Sequence, residues 1–361
     1  MSGPQPNPGI MDIAPYVGGE SHVDGVTRVI KLASNETPLG PSPKAIAAYK
    51  KLAGELHRYP DGSAEDLRTA IAEQWNLNRD HLVCSSGSDE MISLLARAYA
   101  GPTDEILFSE HGFLMYSIAS LAAGAAPKKA PDSHLKLDVD SVLGAVTPQT
   151  RLVFVANPNN PTGTYLTRDE LDRLHGELPD NVLLVVDAAY AEYADQNDYT
   201  SGVELAATQS NVLMLRTFSK IYGLAALRLG WAYGPQSVID VLHRVRGPFN
   251  VNQAAQAAGI AAVRDRAHVA KAKAHNDKWR RWLSEKLGEI GLEFTPSIGN
   301  FVLARFPGGP EMATGAADHL RRAGILVRGM VAYGLPDSLR ITVGLEDENV
   351  ALLDALIEFM E

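Results

Sequence analysis

The chain has 361 residues, of which 45% are hydrophobic and 21% are charged, a balance typical of a globular protein with a sizeable buried core. Acidic side chains outnumber basic ones by 43 to 33, and the resulting net charge of -10 argues against nucleic acid as a partner. No apolar run is long enough to cross a bilayer, and the single cysteine, Cys84, excludes an internal disulfide and favours a reducing, cytoplasmic location.

The length of the chain predicts two units, because one hydrophobic core seldom organises so many residues. Strands and helices alternate from about residue 80 to 235, which predicts an α/β unit with a mostly parallel sheet. We place this large unit at residues 40–253. Residues 1–39 and 254–361 are expected to form an amino-terminal arm and a smaller α+β unit.

Several helix starts are recognisable in chain order. Residues 63–75 and 86–98 each combine a polar start with apolar residues at helical spacing. Thr167 and Glu170 form a capping box before a further apolar pattern. Residues 253–287 are rich in alanine, lysine and arginine and contain no proline, which predicts one long helix leading to the smaller unit.

Three short apolar runs, ending at residues 156, 186 and 215, are each followed by polar residues. Runs of this kind are typical of buried parallel strands, and ligands collect beyond the carboxyl ends of such strands. Asn160, Asp187 and Lys220 are therefore expected to converge.

Each of these residues also has a purely structural interpretation. Taken alone, Lys220 is better explained as a solvated residue past a strand. A helix cap is the structural alternative for Asp187, and Asn160 by itself suits a turn former as well as a functional residue. A buried lysine, by contrast, needs a chemical reason, because an unpaired ammonium is costly to remove from water. Imine formation with a carbonyl cofactor is such a reason, since desolvation favours the neutral amine.

Motifs spread over nearly the whole chain decide between these interpretations. They resemble those of the fold-type I pyridoxal-phosphate aminotransferases, and within them the histidinol-phosphate aminotransferase family. Any one motif is weak, whereas their joint occurrence in the order of the family is a strong signal. The motifs are Ala33 to Gly40, Arg58-Tyr59-Pro60-Asp61, Ser86-Gly87-Ser88-Asp89-Glu90, Asn160-Pro161-Thr162-Gly163, Asp187 with Tyr190, Ser219-Lys220, and Leu339 to Gly344.

The resemblance implies a three-layer large domain and roles for individual residues around pyridoxal 5'-phosphate. Lys220 would form the imine and later move the substrate proton, and Asp187 would hold the pyridine nitrogen protonated. Tyr190, the third catalytic candidate, would bind the phenolic oxygen together with Asn160. The other implied cofactor contacts are Phe113 against the ring, and Ser88, Asp89, Thr217, Ser219, Arg228 and a neighbouring subunit's Tyr59 at the phosphate.

The implied substrate-binding residues are Tyr16, Asn160, Arg328 and Arg340. An arginine pairs with carboxylate or phosphate through two donors, which suits the anionic group of the substrate. Arg328 can instead be a surface residue at a strand end, and Tyr59 a surface aromatic before a turn. No metal is expected.

The activity implied is transamination of L-histidinol phosphate with 2-oxoglutarate in histidine biosynthesis, by a homodimer with shared active sites. An aromatic amino-acid aminotransferase is the nearest alternative, since a phenyl and an imidazole ring place similar demands on a pocket. A phosphothreonine-type decarboxylase of the same fold and a cofactor-binding regulator without turnover are further alternatives. The chain contains neither a dinucleotide fingerprint nor a P-loop signature.

Overall fold

The computed structural model describes residues 3–16, 18–23, 25 and 28–361. Its regular elements alternate through most of the chain. The strands are β1 (Ile30–Lys31), β2 (Leu82–Ser85), β3 (Glu105–Ser109), β4 (Ala126–Ala130), β5 (Asp132–Ser133), β6 (Lys136–Leu137), β7 (Thr150–Ala156), β8 (Leu183–Asp187), β9 (Val212–Thr217), β10 (Gly230–Tyr233), β11 (Glu293–Phe294), β12 (Phe301–Arg305), β13 (Ile325–Leu326), β14 (Arg328–Gly329) and β15 (Ser338–Thr342). The α-helices are α1 (Pro43–Lys50), α2 (Glu65–Trp75), α3 (Ser88–Tyr99), α4 (Leu114–Ala122), α5 (Val139–Ala145), α6 (Arg168–Glu177), α7 (Val203–Thr208), α8 (Gln236–Val245), α9 (Gln253–Arg264), α10 (Arg266–Glu289), α11 (Gly309–Arg322) and α12 (Glu346–Met360).

The large sheet has seven strands in the order β2-β10-β9-β8-β7-β3-β4. Only β10 runs against its neighbours, so the sheet is mostly parallel, as the sequence predicted. Successive residues of a strand are buried on opposite faces: Val153 packs in one hydrophobic core and Phe154 in the other. Helices cover both faces, which explains the uninterrupted apolar runs and confirms a three-layer α/β fold.

A second, four-stranded antiparallel sheet has the order β11-β12-β15-β14. Its core contains Val302 and Ile341, with Leu283 and Leu287 of α10 packed among them. Strand β1 pairs in parallel with β13 and so attaches the amino-terminal segment to this part of the chain. The unit boundaries given for residues 40–253 and for the remainder stay a prediction.

The predicted helices formed with one correction. Helices α2, α3 and α6 lie where the sequence placed them, and both hydrogen bonds of the Thr167 capping box are present. The expected single helix over 253–287 was wrong, because the chain breaks at Asp265 between α9 and α10. Asp265 leaves the helical conformation (φ -89°, ψ 66°), and its carboxylate lies 3.2 Å from the Lys44 ammonium. Helix propensity does not reflect tertiary contacts of this kind, so it could not predict the break.

Within the described part of the chain, no helix combines the length and apolar character that crossing a membrane requires.

Candidate active site

A cavity of about 230 Å³ lies at the carboxyl ends of β7, β8 and β9. The strand register sets Ala156 beside Asp187 and Asp187 beside Leu215, so the residues that follow these strands emerge at one edge. This is the convergence that the polar ends of the three apolar runs predicted. The predicted site residues that line the cavity are Tyr16, Ser88, Asp89, Phe113, Asn160, Asp187, Tyr190, Thr217, Ser219, Lys220, Arg228, Arg328 and Arg340.

Lys220 presents its amine inside this cavity. Its Nζ donates a hydrogen bond to the carbonyl oxygen of Ser34 at 3.2 Å and lies 5.6 Å from the centre of the Tyr190 ring. Burial lowers the pKa of Lys220 to about 8, and the nearby Arg340 cation acts in the same direction. A substantial fraction of this amine is therefore neutral near physiological pH and can act as a nucleophile or base.

Asp187 is a buried carboxylate at the end of β8. One of its oxygens, Oδ2, accepts a hydrogen bond of 2.8 Å from the Tyr116 hydroxyl. The other, Oδ1, has no hydrogen-bond partner among the described residues. Burial raises the pKa of Asp187 to about 6, while the bond from Tyr116 opposes that rise. The carboxylate is thus ionised at pH 7, with one oxygen able to accept a bond from a bound cation.

Tyr116 is a member of the site that the sequence interpretation missed. Its ring lies flat on Phe154, with centroids 4.7 Å apart and planes within 6°, and Phe113 meets it edge-on at 5.9 Å. Tyr116 follows Phe113 by three residues, so helical spacing placed it near the predicted ring contact. Its hydroxyl partner, Asp187, is 71 residues away along the chain and could not be inferred from that spacing.

Tyr190 and Asn160 line the cavity but make bonds that were not predicted. The Tyr190 hydroxyl accepts a hydrogen bond of 2.8 Å from the Asn35 side chain, and Thr342 donates to Asn35 Oδ1 at 3.1 Å. Asn160 Oδ1 accepts a hydrogen bond from Nη1 of Arg340. Asn35 is therefore a second missed residue. Asn35 lies in the motif from Ala33 to Gly40, to which the resemblance assigned no contact with Tyr190.

Arg228 and the start of α3 form an anion-attracting end of the cavity. The guanidinium donates to Ser219 Oγ at 3.2 Å and to Asp89 Oδ2 at 3.1 Å. Gly87 has a φ of +80°, and a Cβ atom there would lie 2.3 Å from Nη2 of Arg228. The positive φ favours glycine, and the absence of a side chain leaves room for the guanidinium. The first N–H groups of α3 add a helix N-terminus beside the cation. Because the Asp89 carboxylate already pairs with Arg228, Asp89 can meet an anion only through its backbone N–H.

Two arginines of the small sheet form the opposite wall. Arg340 on β15 is 6% exposed and donates from Nη2 to the Ala33 carbonyl oxygen at 2.9 Å. Its Nε has no partner among the described residues. Arg328 on β14 pairs directly with Arg340 across the antiparallel ladder, and its guanidinium lies 5.8 Å from the centre of the Tyr16 ring. Like charges placed opposite each other are unfavourable unless an anion joins them.

Comparison with known proteins places the chain in a family. A family model described as "Aminotransferase class I and II" matches residues 27–356. The chain belongs to this family. The finer resemblance read from the motifs is also confirmed: proteins named histidinol-phosphate aminotransferase from Paramagnetospirillum magneticum and Rhodospirillum centenum are 55% and 54% identical to it. Both alignments cover 100% of this chain, and they cover 99% and 100% of the respective relatives.

A solved structure of this family has the same fold. The crystal structure of histidinol-phosphate aminotransferase from Sinorhizobium meliloti in complex with pyridoxal-5'-phosphate superposes with a TM-score of 0.90 at 26% identity. The match covers 97% of this chain and 96% of that chain. The fold class inferred from the sequence is therefore that of fold-type I aminotransferases.

Tyr59 is the one predicted site residue of this aminotransferase that does not line the cavity. It is 81% exposed, and its ring stacks on Phe249 with centroids 4.7 Å apart and planes within 20°. The resemblance assigns Tyr59 to the site of a neighbouring subunit, and that assignment stays a prediction.

Proposed function

We propose that this chain binds pyridoxal 5'-phosphate and transfers the amino group of L-histidinol phosphate to 2-oxoglutarate, giving imidazole-acetol phosphate and glutamate in histidine biosynthesis. Relatives with that activity in their name match the whole chain at more than half of its positions. The observation that carries the proposal is the pairing, in one cavity, of an amine whose pKa is near 8 with a buried carboxylate.

The cavity residues fit the cofactor. Asp187 Oδ1 lacks a partner among the described residues and can accept a bond from a protonated ring nitrogen. Gly87 and Gly230 keep the start of α3 open: a Cβ on Gly230 would lie 2.6 Å from the Ser88 nitrogen. The N–H groups there, together with Arg228 and Ser219, form a phosphate site. Phe113 and Tyr190 offer rings beside these groups.

When bound, pyridoxal phosphate supplies an electron sink for bonds at the substrate α-carbon. Lys220 Nζ, with its lowered pKa, would move the proton from the substrate α-carbon to the carbonyl carbon of the cofactor. The ionised Asp187 keeps the ring nitrogen protonated, and the Tyr116 hydroxyl helps to keep that carboxylate ionised. Arg340, anchored on Ala33 and Asn160, orients the anionic end of the substrate.

The two facing arginines favour histidinol phosphate over an ordinary amino acid. Arg328 and Arg340 lie opposite each other on β14 and β15, and both line the cavity. A phosphate ester carries up to two negative charges and three acceptor oxygens, whereas an α-carboxylate carries one charge and two oxygens. The dianion therefore gives these two guanidinium groups more charge and more acceptor oxygens to pair with.

Turnover of L-histidinol phosphate and of L-phenylalanine, each with 2-oxoglutarate, tests this substrate assignment. We expect the larger kcat/KM for histidinol phosphate. Arg328→Gln should reduce that value by roughly tenfold or more while affecting phenylalanine less, because it removes one of the two phosphate partners. Faster turnover of phenylalanine by the unmodified protein would overturn the assignment in favour of an aromatic aminotransferase. Release of carbon dioxide from an amino-acid substrate would point to a decarboxylase.

We further propose a cytoplasmic homodimer in which Tyr59 reaches the cofactor phosphate of the partner subunit. Tyr59 and Phe249 form an exposed aromatic pair, and the segment that precedes Tyr59 carries two more exposed apolar side chains, Tyr49 and Leu56, at 51% and 80% exposure. Exposed apolar clusters of this kind mark interaction surfaces. The reducing location rests on the single, buried cysteine, Cys84.

Subunit complementation tests the shared site. Lys220→Ala and Tyr59→Ala chains are each expected to have low activity, whereas co-expressed chains form mixed dimers with one intact site. Recovery towards about one quarter of the activity of the unmodified protein is expected for random mixing. Monomeric protein in sedimentation, or no recovery in dimers shown to be mixed, would contradict the proposal.

A further inference from the structure

One ion pair outside the cavity is almost completely buried. Arg216 on β9 and Glu192 lie 2.7 Å apart, measured from Nη2 to Oε1, and their side chains are only 5% and 3% exposed. Neither residue lines the cavity. Glu192 belongs to a short 3-10 helix, Ala191–Tyr193, that follows Tyr190 directly.

Aromatic rings enclose this pair. The Arg216 guanidinium lies 4.5 Å from the centre of the Trp75 ring and 5.6 Å from that of Trp231. Burial by itself would lower the pKa of Arg216, but the Glu192 carboxylate outweighs it, and the net change is a rise. Burial, and then the same carboxylate, raise the pKa of Tyr222 well above its usual value. Arg216 is therefore a buried cation that faces an anion among aromatic side chains.

The free energy of folding does not explain such an arrangement. Removing two charges from water costs several kcal/mol for each ion, and replacing a buried pair with apolar residues of similar volume is often neutral or stabilising, by about 1–4 kcal/mol. The pair is also incompletely bonded, because Arg216 Nε has no hydrogen-bond partner among the described residues. Its position in the chain offers a better explanation.

The pair joins two segments at the point where the sheet stops joining them. The parallel ladder between β8 and β9 ends with Asp187 beside Leu215. Beyond that point one segment carries Tyr190, and the other carries Lys220. Glu192 lies two residues after Tyr190, and Arg216 lies four residues before Lys220.

We propose that Arg216 and Glu192 are positioning residues that hold the Lys220 segment against the Tyr190 segment, so that the amine keeps its place relative to the cofactor. The inference rests on the proposed function. Neither residue touches the reacting atoms. Loss of the pair displaces Lys220 without removing it, and small displacements of a reacting group reduce turnover strongly.

The apolar double variant R216M/E192L separates this role from a purely structural one. It removes both charges at similar side-chain volume, so we expect a folded protein whose melting temperature is unchanged or higher. We expect kcat to fall by on the order of tenfold or more, with little change in KM. In the absence of substrate, the pH midpoint of the absorbance of the lysine–cofactor bond should shift by about half a unit or more.

A matched control is available on the surface. Arg168 and Glu204 form a pair of the same residue types at 3.1 Å, with side chains 44% and 57% exposed. R168M/E204L should leave both kcat and the absorbance midpoint unchanged. E192Q is a second test variant, which keeps the shape of the side chain but removes its charge, and it should shift the midpoint in the same direction as the double variant.

Three outcomes would overturn the proposal. A folded double variant with unchanged kcat and midpoint would show that the pair does not position the amine. Loss of folding in the double variant would show that the pair maintains the fold instead. An unshifted midpoint in E192Q would count equally against it. Failure of the proposed function is distinguishable, because the unmodified protein would then show no cofactor absorbance at all.

Discussion

The cavity has two walls that are built differently. The large-sheet wall contains Asp187, the last residue of β8, and Lys220, which lies three residues beyond the end of the neighbouring parallel strand β9. The small-sheet wall contains Arg328 and Arg340, and it meets the first wall through contacts such as the bond from Arg340 to Asn160, 180 residues apart in the chain. The first wall provides groups with shifted pKa values. The second provides fixed positive charge.

This difference predicts how variants should behave. A group that moves a proton, or stabilises charge only during the reaction, affects kcat. A cation that holds the substrate before and during the reaction affects KM. Substitutions on the large-sheet wall should therefore reduce kcat, and substitutions on the small-sheet wall should weaken substrate binding.

Lys220→Ala should produce the largest loss. It removes both the nucleophile and the proton carrier, so turnover should fall by roughly 10⁴-fold or more. The absorbance of the lysine–cofactor bond should disappear as well. Steady-state kinetics and an absorption spectrum provide the two measurements, and Lys44→Ala serves as a control because the Lys44 side chain is 69% exposed and lies outside the cavity. Full activity of the Lys220 variant would remove this residue from the reaction.

Asp187→Asn should rank second. The amide has nearly the same shape but carries no charge, so it cannot keep the ring nitrogen protonated, and kcat should fall on the order of 10²-fold. Exchange of the substrate α-hydrogen with solvent, followed by NMR, measures the affected step. Exchange at the rate of the unmodified protein would contradict the role of Asp187.

Arg340→Ala tests the small-sheet wall and should weaken substrate binding. We expect KM to rise by about 10–100-fold for amino donors and for 2-oxoglutarate, with a smaller change in kcat, because a buried charge partner is lost. Arg340→Lys keeps the charge but loses the second donor and should recover only part of the affinity. If Arg340→Ala lowered kcat and left KM unaltered, the division between the two walls would be wrong.

Tyr116→Phe should have the smallest effect and a specific pH signature. The pKa of Asp187 is raised to about 6 by burial, and the Tyr116 bond opposes that rise. The carboxylate binds the protonated ring as an anion, so the contribution of Asp187 to cofactor affinity should be complete well above pH 6 and be lost as the pH falls through about 6. Loss of the hydroxyl raises the pKa further, so the fall should begin at a higher pH, by up to about one unit.

Cofactor titrations at a series of pH values measure this shift. Tyr193→Phe is a suitable control, because Tyr193 is similarly buried and has no bond to Asp187. Equal shifts in both variants would indicate a general effect of losing a buried hydroxyl rather than an action on Asp187.

The contrast between the walls also explains what the sequence could predict. Asn160, Asp187 and Lys220 were predicted to converge because each follows an apolar run, and parallel strands bring such ends together. The start of α3 followed from local chemistry in the same way. These signals lie within a few residues of the elements that they position.

Contacts between segments that lie far apart in the sequence could not be predicted from such local signals. The bond from Asn35 to Tyr190 spans 155 residues, and nothing local to Asn35 indicates its partner. The spacing of Tyr116 from Phe113 shows that the two are neighbours on a helix, but it does not reveal the bond from Tyr116 to Asp187. The break at Asp265 was missed for the same reason, since its carboxylate pairs with Lys44, 221 residues earlier in the chain.

The central claim is that the amine of Lys220 bonds to the aldehyde carbon of pyridoxal phosphate. Reduction of the protein–cofactor mixture with borohydride makes this bond permanent, and mass spectrometry of the digested protein then locates it. We expect one labelled lysine per chain, at position 220, and no label when substrate amine is added in excess before reduction. A label on another lysine, or turnover without any labelled lysine, would show that Lys220 does not form this bond.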